Sequence, residues 1–516
     1  MAETSLSKLQ KQVAKLEKDN LKLRDLLETQ KQKRYNAEKM LNYYKENLDK
    51  IVNAAVNKAV AEILKEYEEI KKENAKLKSI LNNTSDNSDI PTSKTAIGEY
   101  KRIPNSREKT NKPKGGQLGH SKHKLERFKE DEITDTTIYE VARCTCGCEK
   151  LEDLGIRTTK DLFDIDIRLI KARNEFHNYK CKNCGKIIES PVPLNLKEEN
   201  QYGSNAQALA LSLVNEGYVS FKRVRELISG FTGEEMNMSE GFIAKLQKRS
   251  YQKLEDFDEE LYKKMLTLKV LNWDDTVISI DKKQACLRYY GNEKFAYYKA
   301  HNKKDKDGID EDKILNLLPK ETVVVHDHNK VNYNEDYEFT NAECCVHLIR
   351  DLNKIKDNLN HKWADELINL LITTNNKRKE YIDSSIEYFD QEVTDKVSLE
   401  YDNIIDKARD ENKKDFNKYY GSDERTLIKR LIDYKENYLL WVLRFDVPFS
   451  NNLSERSLRS VKTKMKVSGQ FANIQNAEYF ARIKSYIETC KRHGINPYKA
   501  LTRLIDDNPY TLAELK

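Results

Sequence analysis

Three acidic residues stand in sequence contexts that suit metal-dependent chemistry. Asp274 lies within the apolar run 269–280, Asp327 ends the apolar run 321–327, and Glu455 opens a helical stretch rich in lysine and arginine. Two aspartates on strands and a glutamate on a helix can hold two divalent metal ions about 3.5–4 Å apart, an arrangement that drives phosphodiester chemistry. The sequence therefore predicts a metal site at these three carboxylates.

Both aspartates also have ordinary structural interpretations. Asp275 or Asp281 could be the first acid instead of Asp274, because a shift of one residue along a strand turns a side chain to the opposite face. Asp327 could simply cap the turn that follows its strand. Aspartates in Val- and Ile-rich strands are nevertheless costly to bury unless they are paired or bind metal, which favours the metal site.

The strongest alternative concerns Glu455. The segment Asn452-Leu-Ser-Glu455 has the spacing of a capping box, in which the glutamate only satisfies a backbone amide at the start of a helix. On a helix that begins there, Glu455, Arg459, Lys462 and Lys466 share one face. That face is either a basic ridge beside a DNA strand, headed by a metal-binding carboxylate, or a solvated charged surface.

The acids need a sheet and a helix to bring them together. The pattern from residue 269 predicts three consecutive strands (270–280, 285–290 and 295–299), a short helix (310–318) and a fourth strand (321–327). This is the ribonuclease-H-like order, which places the first and fourth strands side by side. The charged region 351–440 has no strand signal and is predicted to be a helical insertion between this core and Glu455.

Composition limits the possible classes of protein. The chain has 516 residues, a net charge of +6, and few glycines (17) or prolines (9), which favours several domains with long helices. The net charge alone is weak evidence for a nucleic-acid partner, so the local distribution of charge must support that inference. No apolar run approaches the roughly 20 residues of a membrane span and there is no signal-peptide core, so a cytoplasmic protein without a membrane partner is expected.

Residues 1–82 contain two heptad blocks that predict a coiled coil. The alternating spacing of three and four residues is carried by Leu6, Leu9, Val13, Leu16, Asn20, Leu23 and Leu27, and again by Val60, Ile63, Tyr67, Ile70, Asn74, Leu77 and Leu81. A buried asparagine at an a position lowers stability but fixes register and favours a parallel dimer. We expect self-association; a helix packed on its own protein is the alternative.

A basic, glycine-containing segment follows the coiled coil. Residues 83–100 read as a solvated linker, whereas 101–129 are equally compatible with a linker and with a basic arm that lies along phosphates.

Five cysteines then form two knuckles. Cys144, Cys146 and Cys148 lie in the first, and Cys181 and Cys184 in the second, separated by strand-like sequence at 137–141 and 165–170. This layout predicts a zinc ribbon in which four thiolates hold a structural Zn²⁺, and a redox site is the minor alternative. Cys144, Cys146, Cys181 and Cys184 are the favoured ligands, and Cys148 is a possible substitute.

Residues 203–250 are predicted to be helical, with Ser239 as an N-cap. A helix-turn-helix that presents Lys222, Arg223 and Arg225 to DNA is one interpretation, and an ordinary helical pair is the other. The later segment Cys344-Cys345-Val-His347 offers too few ligands for a metal site and reads mainly as core, with Arg350 as a candidate phosphate contact.

These features resemble, in order along nearly the whole chain, the bacterial DDE transposases of the insertion-sequence sixty-six type. The resemblance rests on the coiled coil and cysteine knuckles and on several short motifs. These motifs are Gly-Gly-Gln-Leu-Gly-His (115–120), Asp274-Asp275-Thr276, Asp327 with Asn332-Tyr333-Asn334, Cys345-Val-His347, Asn451-Asn452-Leu-Ser-Glu455-Arg456-Ser-Leu-Arg459, and the stretch from Tyr486 to Tyr498. The chain departs from the family at Ser450 and at His328-Asn329, but neither change removes an acid.

The resemblance implies a DNA transposase that uses Mg²⁺ or Mn²⁺ for cleavage and strand transfer, with Asp274, Asp327 and Glu455 as catalytic metal ligands. Arg456, Arg459 and Lys462 would contact DNA phosphates. Its partners would be transposon ends, target DNA, a second copy of the chain and small accessory proteins, within the bacterial cytoplasm and associated with the nucleoid. A transposase-derived DNA-binding regulator and a ribonuclease-H-like nuclease without strand joining are the alternatives.

The expected fold class is a multidomain α plus α/β protein. Its predicted parts are a coiled coil (1–82), a basic linker or arm (83–130), a zinc ribbon (131–198), a helical region (199–262), the first part of a ribonuclease-H-like core (263–350), a helical insertion (351–440), the second part of the core with Glu455 (441–490), and a C-terminal tail (491–516).

Overall fold

A computed structural model describes most of the chain, and the chain divides into two compact units. The described residues are 2–82, 125–165, 167–193, 196–414 and 420–515. One unit comprises Met1–Asn83 with Lys413–Glu424, and the other comprises Thr84–Asn412 with Arg425–Lys516. The motif at 115–120 and nearly all of the predicted linker and basic arm lie outside the described residues.

The N-terminal region is one helix, α1 (Ala2–Asn82). Its sequence contains neither glycine nor proline, so nothing interrupts the helix where the heptad pattern weakens between residues 28 and 55. The described heptad side chains of both blocks are exposed, among them Leu16 at 67% and Ile63 at 64%. The predicted helix is therefore present; the pairing of two such helices stays a prediction.

The cysteine-bearing region contains little regular structure. Beyond a 3-10 turn at Glu130–Glu132, it has one antiparallel hairpin, β1 (Asn178–Lys180) with β2 (Ile187–Glu189). The expected strand at 137–141 is irregular, and so are the described residues of 165–170, so that prediction was wrong. Apolar residues there do not pack into a core, and Tyr139 is 92% exposed. Local β propensity needs a packed, half-buried surface to be realised.

Four helices lead from this region to the central sheet. They are α2 (Ser204–Asn215), α3 (Phe221–Phe231), α4 (Glu240–Lys253) and α5 (Glu255–Met265). Ser239 caps α4 as predicted, because its Oγ accepts a hydrogen bond from the backbone of Phe242 at 3.1 Å. The helices predicted within 203–250 are present, and the pair α3–α4 buries Val224 and Ile243; the helix-turn-helix interpretation stays a prediction.

A five-stranded mixed sheet forms the centre of the second unit. Its strands are β3 (Val270–Ile280), β4 (Lys283–Gly291), β5 (Ala296–His301), β6 (Val323–His326) and β7 (Thr340–Glu343), in the order β5-β4-β3-β6-β7. β3, β4 and β5 are antiparallel neighbours, whereas β6 lies parallel to both β3 and β7. The predicted adjacency of the first and fourth strands of the core is confirmed.

Helices cover both faces of this sheet. The described α-helices that follow β5 in the chain are α6 (Lys306–Glu311), α7 (Cys345–Leu359), α8 (Lys362–Asp383), α9 (Gln391–Lys414), α10 (Tyr420–Asp433), α11 (Lys435–Leu443), α12 (Asn452–Ser468), α13 (Ile474–Arg492) and α14 (Pro497–Ile505). Alternate residues of β6 point to opposite faces. Val324 packs in one apolar core with α2–α5, α13 and α14, whereas Val323 and Val325 pack in another with α7, α8 and α11.

The helical insertion expected at 351–440 is present, since α8–α11 fill most of it. Among the described residues, no helix is both long and apolar enough to cross a membrane.

Candidate functional site

Asp274 and Asp327 face each other across two parallel strands. Asn272 of β3 pairs with Val325 of β6, and two further steps along each strand place the two aspartates opposite one another on one face. Burial raises the pKa of Asp274 to about 7, and the charge of Asp327 adds to this effect. Two carboxylates held this way favour a cation between them.

The other candidates for the first acid lie elsewhere. Asp275 points away from Asp327 and pairs with Lys304, whose Nζ lies 2.9 Å from its Oδ1. Asp281 and Lys282 form the tight turn between β3 and β4, where both have positive φ (45° and 63°). Asp274 is therefore the aspartate of β3 that faces Asp327.

Glu455 lies in the first turn of α12, beside these aspartates in a group of charged side chains. Its Oε1 lies 3.4 Å from Arg350 Nη2 and 3.7 Å from His347 Nε2, and its Oε2 lies 3.7 Å from Arg459 Nη2. The N-cap of α12 is Asn451 and not Asn452, so the capping-box alternative is wrong. The carboxylate of Glu455 is directed at cations rather than at a backbone amide.

His347 connects Asp327 to Glu455. Its Nδ1 lies 2.9 Å from Asp327 Oδ1, and its Nε2 lies 2.8 Å from Arg350 Nη1. Burial lowers the pKa of His347, but contacts with Asp327 and Cys344 outweigh burial and raise that pKa overall. Since an arginine N–H can only donate, Nε2 can accept from Arg350 only when the ring is neutral, with its single proton on Nδ1. The raised pKa favours the charged ring, in which both nitrogens carry protons. Arg350 bridges His347 and Glu455, and its predicted phosphate contact stays a prediction.

Asn451 ties together the elements that carry the acids. Its Nδ2 donates to the Trp273 carbonyl at 2.8 Å, and its Oδ1 accepts from Asn272 Nδ2 at 3.0 Å and from Ser454 Oγ at 2.8 Å. Its backbone N–H donates to Cys344 Sγ at 3.2 Å. Asn451 is fully buried, so each of these bonds forms away from water.

The basic face of α12 is present as predicted. Arg456, Arg459, Lys462 and Lys466 are exposed, while Leu458 and Val461 on the opposite side are buried. Lys462 lies close enough to Asp274 for its charge to oppose the rise in that carboxyl's pKa. The exposed cations therefore begin at the edge of the acidic group.

The two cysteine knuckles form separate turns. Gly147 donates to the Cys144 carbonyl at 2.8 Å and Gly185 to the Cys181 carbonyl at 2.9 Å. Neighbouring backbone N–H groups lower the pKa of the Cys144 and Cys181 thiols, which favours the thiolate form that binds metal.

Within the described part of the chain, only Asp327, Cys344 and His347 come together as a group of three or more potential metal ligands. The choice of Cys144, Cys146, Cys181 and Cys184 as zinc ligands, with Cys148 as a substitute, stays a prediction.

Comparison with protein families identifies the class of this protein as a transposase. The matching family model is the Transposase IS66 family, over residues 199–479. The match spans more than half of the chain, so the chain belongs to this family. Membership implies DNA as a partner and the use of a divalent metal in general. No curated protein matches the chain.

Proposed function

We propose that the protein cleaves DNA at the ends of an insertion sequence and joins those ends to target DNA, as a DDE transposase. The observation that carries this proposal is that Asp274 of β3 lies opposite Asp327 after β6, and that His347 links Asp327 to Glu455 at the start of α12, beside an exposed row of basic side chains. A sheet that places parallel strands beside an antiparallel hairpin supports a ribonuclease-H-like core.

The residues fit a pair of hard divalent ions, Mg²⁺ or Mn²⁺. Carboxylates are the ligands these ions prefer, and the pKa of Asp274 is raised first by burial and then by the charge of Asp327, so a cation between them would offset both effects. Asp327 Oδ1 is buried, and its partner in the described part of the chain is His347 Nδ1 at 2.9 Å, so it keeps a lone pair for a ligand. When bound, such ions activate the attacking oxygen and stabilise the leaving oxygen.

The side chains around the acids hold and orient the substrate. Asp274, Asp327 and Glu455 fix the positions of the metal ions, and Arg350 and His347 hold Glu455 and Asp327 in place. Arg456, Arg459 and Lys462 are on the exposed face of α12, where they contact phosphates of the strand to be cut. Such contacts position DNA and carry no sequence information.

We assign recognition of the DNA sequence to other parts of the chain. The exposed Lys222 and Arg223 of α3 are available to a DNA groove, whereas Arg225 lies 3.7 Å from Glu240 in an ion pair. The cysteine region contributes a zinc ribbon, with Zn²⁺ held by Cys144, Cys146, Cys181 and Cys184. Metal binding would supply the folding energy that its exposed apolar residues do not.

The helix α1 joins two subunits as a parallel coiled coil. Its exposed heptad side chains and its asparagines at a positions support this, because an isolated helix gains stability when its apolar stripe is buried. Two joined subunits can each hold one transposon end. We also propose that small accessory proteins act with the transposase. The protein would work in the bacterial cytoplasm, beside the nucleoid.

An assay with purified protein, Mg²⁺ and a labelled duplex that carries an insertion-sequence end tests the function. We expect cleavage that exposes a 3′-OH, followed by joining to a second duplex, and loss of both with EDTA. Cleavage without joining would favour a nuclease. End binding without either reaction would favour a DNA-binding regulator.

A further inference from the structure

Three potential metal ligands of different chemistry meet at the edge of the acidic group. Asp327 Oδ1, Cys344 Sγ and His347 Nδ1 all lie within 4.8 Å of one another. Asp327 follows β6, Cys344 is the N-cap of α7, and His347 lies in the first turn of that helix. The fold thus adds a third ligand to a cysteine and a histidine that are only three residues apart.

Burial gives these atoms few partners. Asp327 Oδ1 and His347 Nδ1 are buried and lie 2.9 Å apart as an ion pair, but the contact lacks good hydrogen-bond geometry. A cation between the two atoms would satisfy both, as buried polar atoms generally require. Cys344 is 1% exposed, and its sulfur accepts the backbone N–H of Asn451 at 3.2 Å.

The donor set differs from that of a magnesium site. Mg²⁺ prefers oxygen ligands in a near-octahedral arrangement, whereas a thiolate and an imidazole suit Zn²⁺ or Co²⁺. One carboxylate, one thiolate and one imidazole supply three of the four ligands of a tetrahedral zinc site.

We propose that Asp327, Cys344 and His347 form a second kind of metal site, selective for zinc-like ions, that shares Asp327 with the Mg²⁺ site. The Cys344 thiol gives its proton to solvent when the ion binds. Because one carboxylate serves both sites, Zn²⁺ bound here withdraws Asp327 from DNA cleavage and inhibits it. This consequence rests on the proposed function; the existence of the site does not.

Binding requires one local rearrangement. With the ion on Nδ1, the proton of His347 moves to Nε2, where it needs an acceptor. Glu455 Oε1 is 3.7 Å away, and a carboxylate that orients a metal-bound histidine is a common second ligand shell. Arg350 Nη1 then leaves Nε2, while Nη2 of the same side chain already lies 3.4 Å from Glu455.

Cobalt spectroscopy on the full-length protein tests the site. Co²⁺ bound to a thiolate gives a near-ultraviolet charge-transfer band, and the five knuckle cysteines can also contribute to that band. Wild-type protein is therefore compared with Cys344→Ser, His347→Ala and the control Cys345→Ser. Cys345 is equally buried, but its sulfur contacts the Tyr438 carbonyl at 3.5 Å. Circular dichroism establishes that each variant is folded.

We expect Cys344→Ser to bind one equivalent of Co²⁺ less than wild type, with a matching loss of band intensity, and Cys345→Ser to bind as wild type does. His347→Ala should weaken the same equivalent at least tenfold, which keeps the test valid if Cys344→Ser misfolds. Unchanged cobalt stoichiometry in both variants would overturn the proposal.

A second measurement separates this site from the proposed function. In the presence of Mg²⁺, Zn²⁺ should inhibit DNA cleavage by wild type and Cys345→Ser at least tenfold more strongly than by His347→Gln, measured relative to each protein's own zinc-free rate. Equal inhibition of all three would refute the shared use of Asp327. If no variant cleaves DNA, the proposed function fails, and the cobalt result still decides whether the site exists.

Discussion

Asn451 holds the strand of Asp274 and the helix of Glu455 together through the 2.8 Å bond from its Nδ2 to the Trp273 carbonyl. Trp273 immediately precedes Asp274, and Glu455 N–H donates to the Asn451 carbonyl at 3.3 Å. One buried side chain therefore sets the distance between two of the three acids.

Asn451→Ala should lower both stability and activity. The change leaves buried partners unsatisfied and should reduce the free energy of unfolding by roughly 2 kcal/mol. It should also reduce DNA cleavage about 100-fold, because small displacements of reacting groups carry large penalties. Thermal melting and cleavage rates measure the two effects.

Two control variants distinguish a loss of cleavage caused by displaced acids from one caused by reduced stability. Asn452→Ala changes the exposed neighbour and should cleave as wild type does. Asn215→Ala removes a buried bond to the Leu211 carbonyl, far along the chain, and should lose stability without an equal loss of cleavage. If Asn215→Ala loses as much stability as Asn451→Ala and is also equally inactive, then Asn451 does not act by positioning the acids.

The exposed cations of α12 should contribute to DNA affinity in a salt-dependent way. Replacing Arg456, Arg459 or Lys462 by alanine should weaken binding for all sequences, and should reduce the slope of log K against log salt by about 1 each. Fluorescence anisotropy at several salt concentrations measures this. Lys396→Ala, an exposed lysine of α9, is the control, and an equal change there would contradict a localised contact.

Lys464 should give the protein an unusual pH dependence of stability. Burial lowers the pKa of this lysine to about 8, and its Nζ lies 4.9 Å from the Phe471 ring centre and 3.0 Å from Ser468 Oγ. Between pH 8 and 10.5, the ordinary pKa of lysine, Lys464 is largely protonated in the unfolded chain and largely neutral in the folded one. Because the unfolded state binds more protons there, the contribution of Lys464 to the free energy of unfolding rises with pH.

Lys464→Met should therefore stabilise the protein at pH 7, by about 1–3 kcal/mol, and the gain should shrink toward pH 10. Urea titrations at both pH values measure it. Lys466→Met, at an exposed position two residues on, should change stability little. A loss of stability in Lys464→Met at pH 7 would show that its aromatic contacts outweigh the cost of burial.

Self-association should depend on the heptad face of α1. Leu16→Glu with Leu23→Glu places charges on that face and should convert an oligomer to a monomer in sedimentation experiments. Lys18→Glu with Lys22→Glu changes charge outside the heptad positions and should leave the oligomer intact. Identical sedimentation of wild type and the leucine variant would exclude the coiled-coil interface.

The sequence predicted the parts of the site that depend on local periodicity. Strand period two and the order of strands were enough to bring Asp274 opposite Asp327, and helical spacing was enough to align Arg459 with Lys462. These are backbone regularities that a single sequence displays.

The contacts that organise the site depend on tertiary geometry and could not be predicted. Asn272 and Asn451 are 179 residues apart, and no spacing rule relates them, although the paired asparagines before Glu455 were a signal. The sequence predicts only a phosphate contact for Arg350 and a core position for His347. Their partners, Asp327 and Glu455, come from β6 and α12 and are adjacent only in the folded chain.

The expected strands at 137–141 and 165–170 failed for a related reason. Their apolar residues match a strand pattern, yet the hairpin β1–β2 is too short to offer them a surface to cover.

The measurement that tests the central claim most directly is Mg²⁺-dependent cleavage by Asp274→Asn and Asp275→Asn, two isosteric changes at adjacent positions. Asp274 faces Asp327, whereas Asp275 pairs with Lys304 on the other side of the strand. We predict that Asp274→Asn loses at least 1,000-fold in cleavage, on the order of 4 kcal/mol in activation free energy, and that Asp275→Asn stays within about tenfold of wild type. Undiminished cleavage by Asp274→Asn would contradict the proposed site.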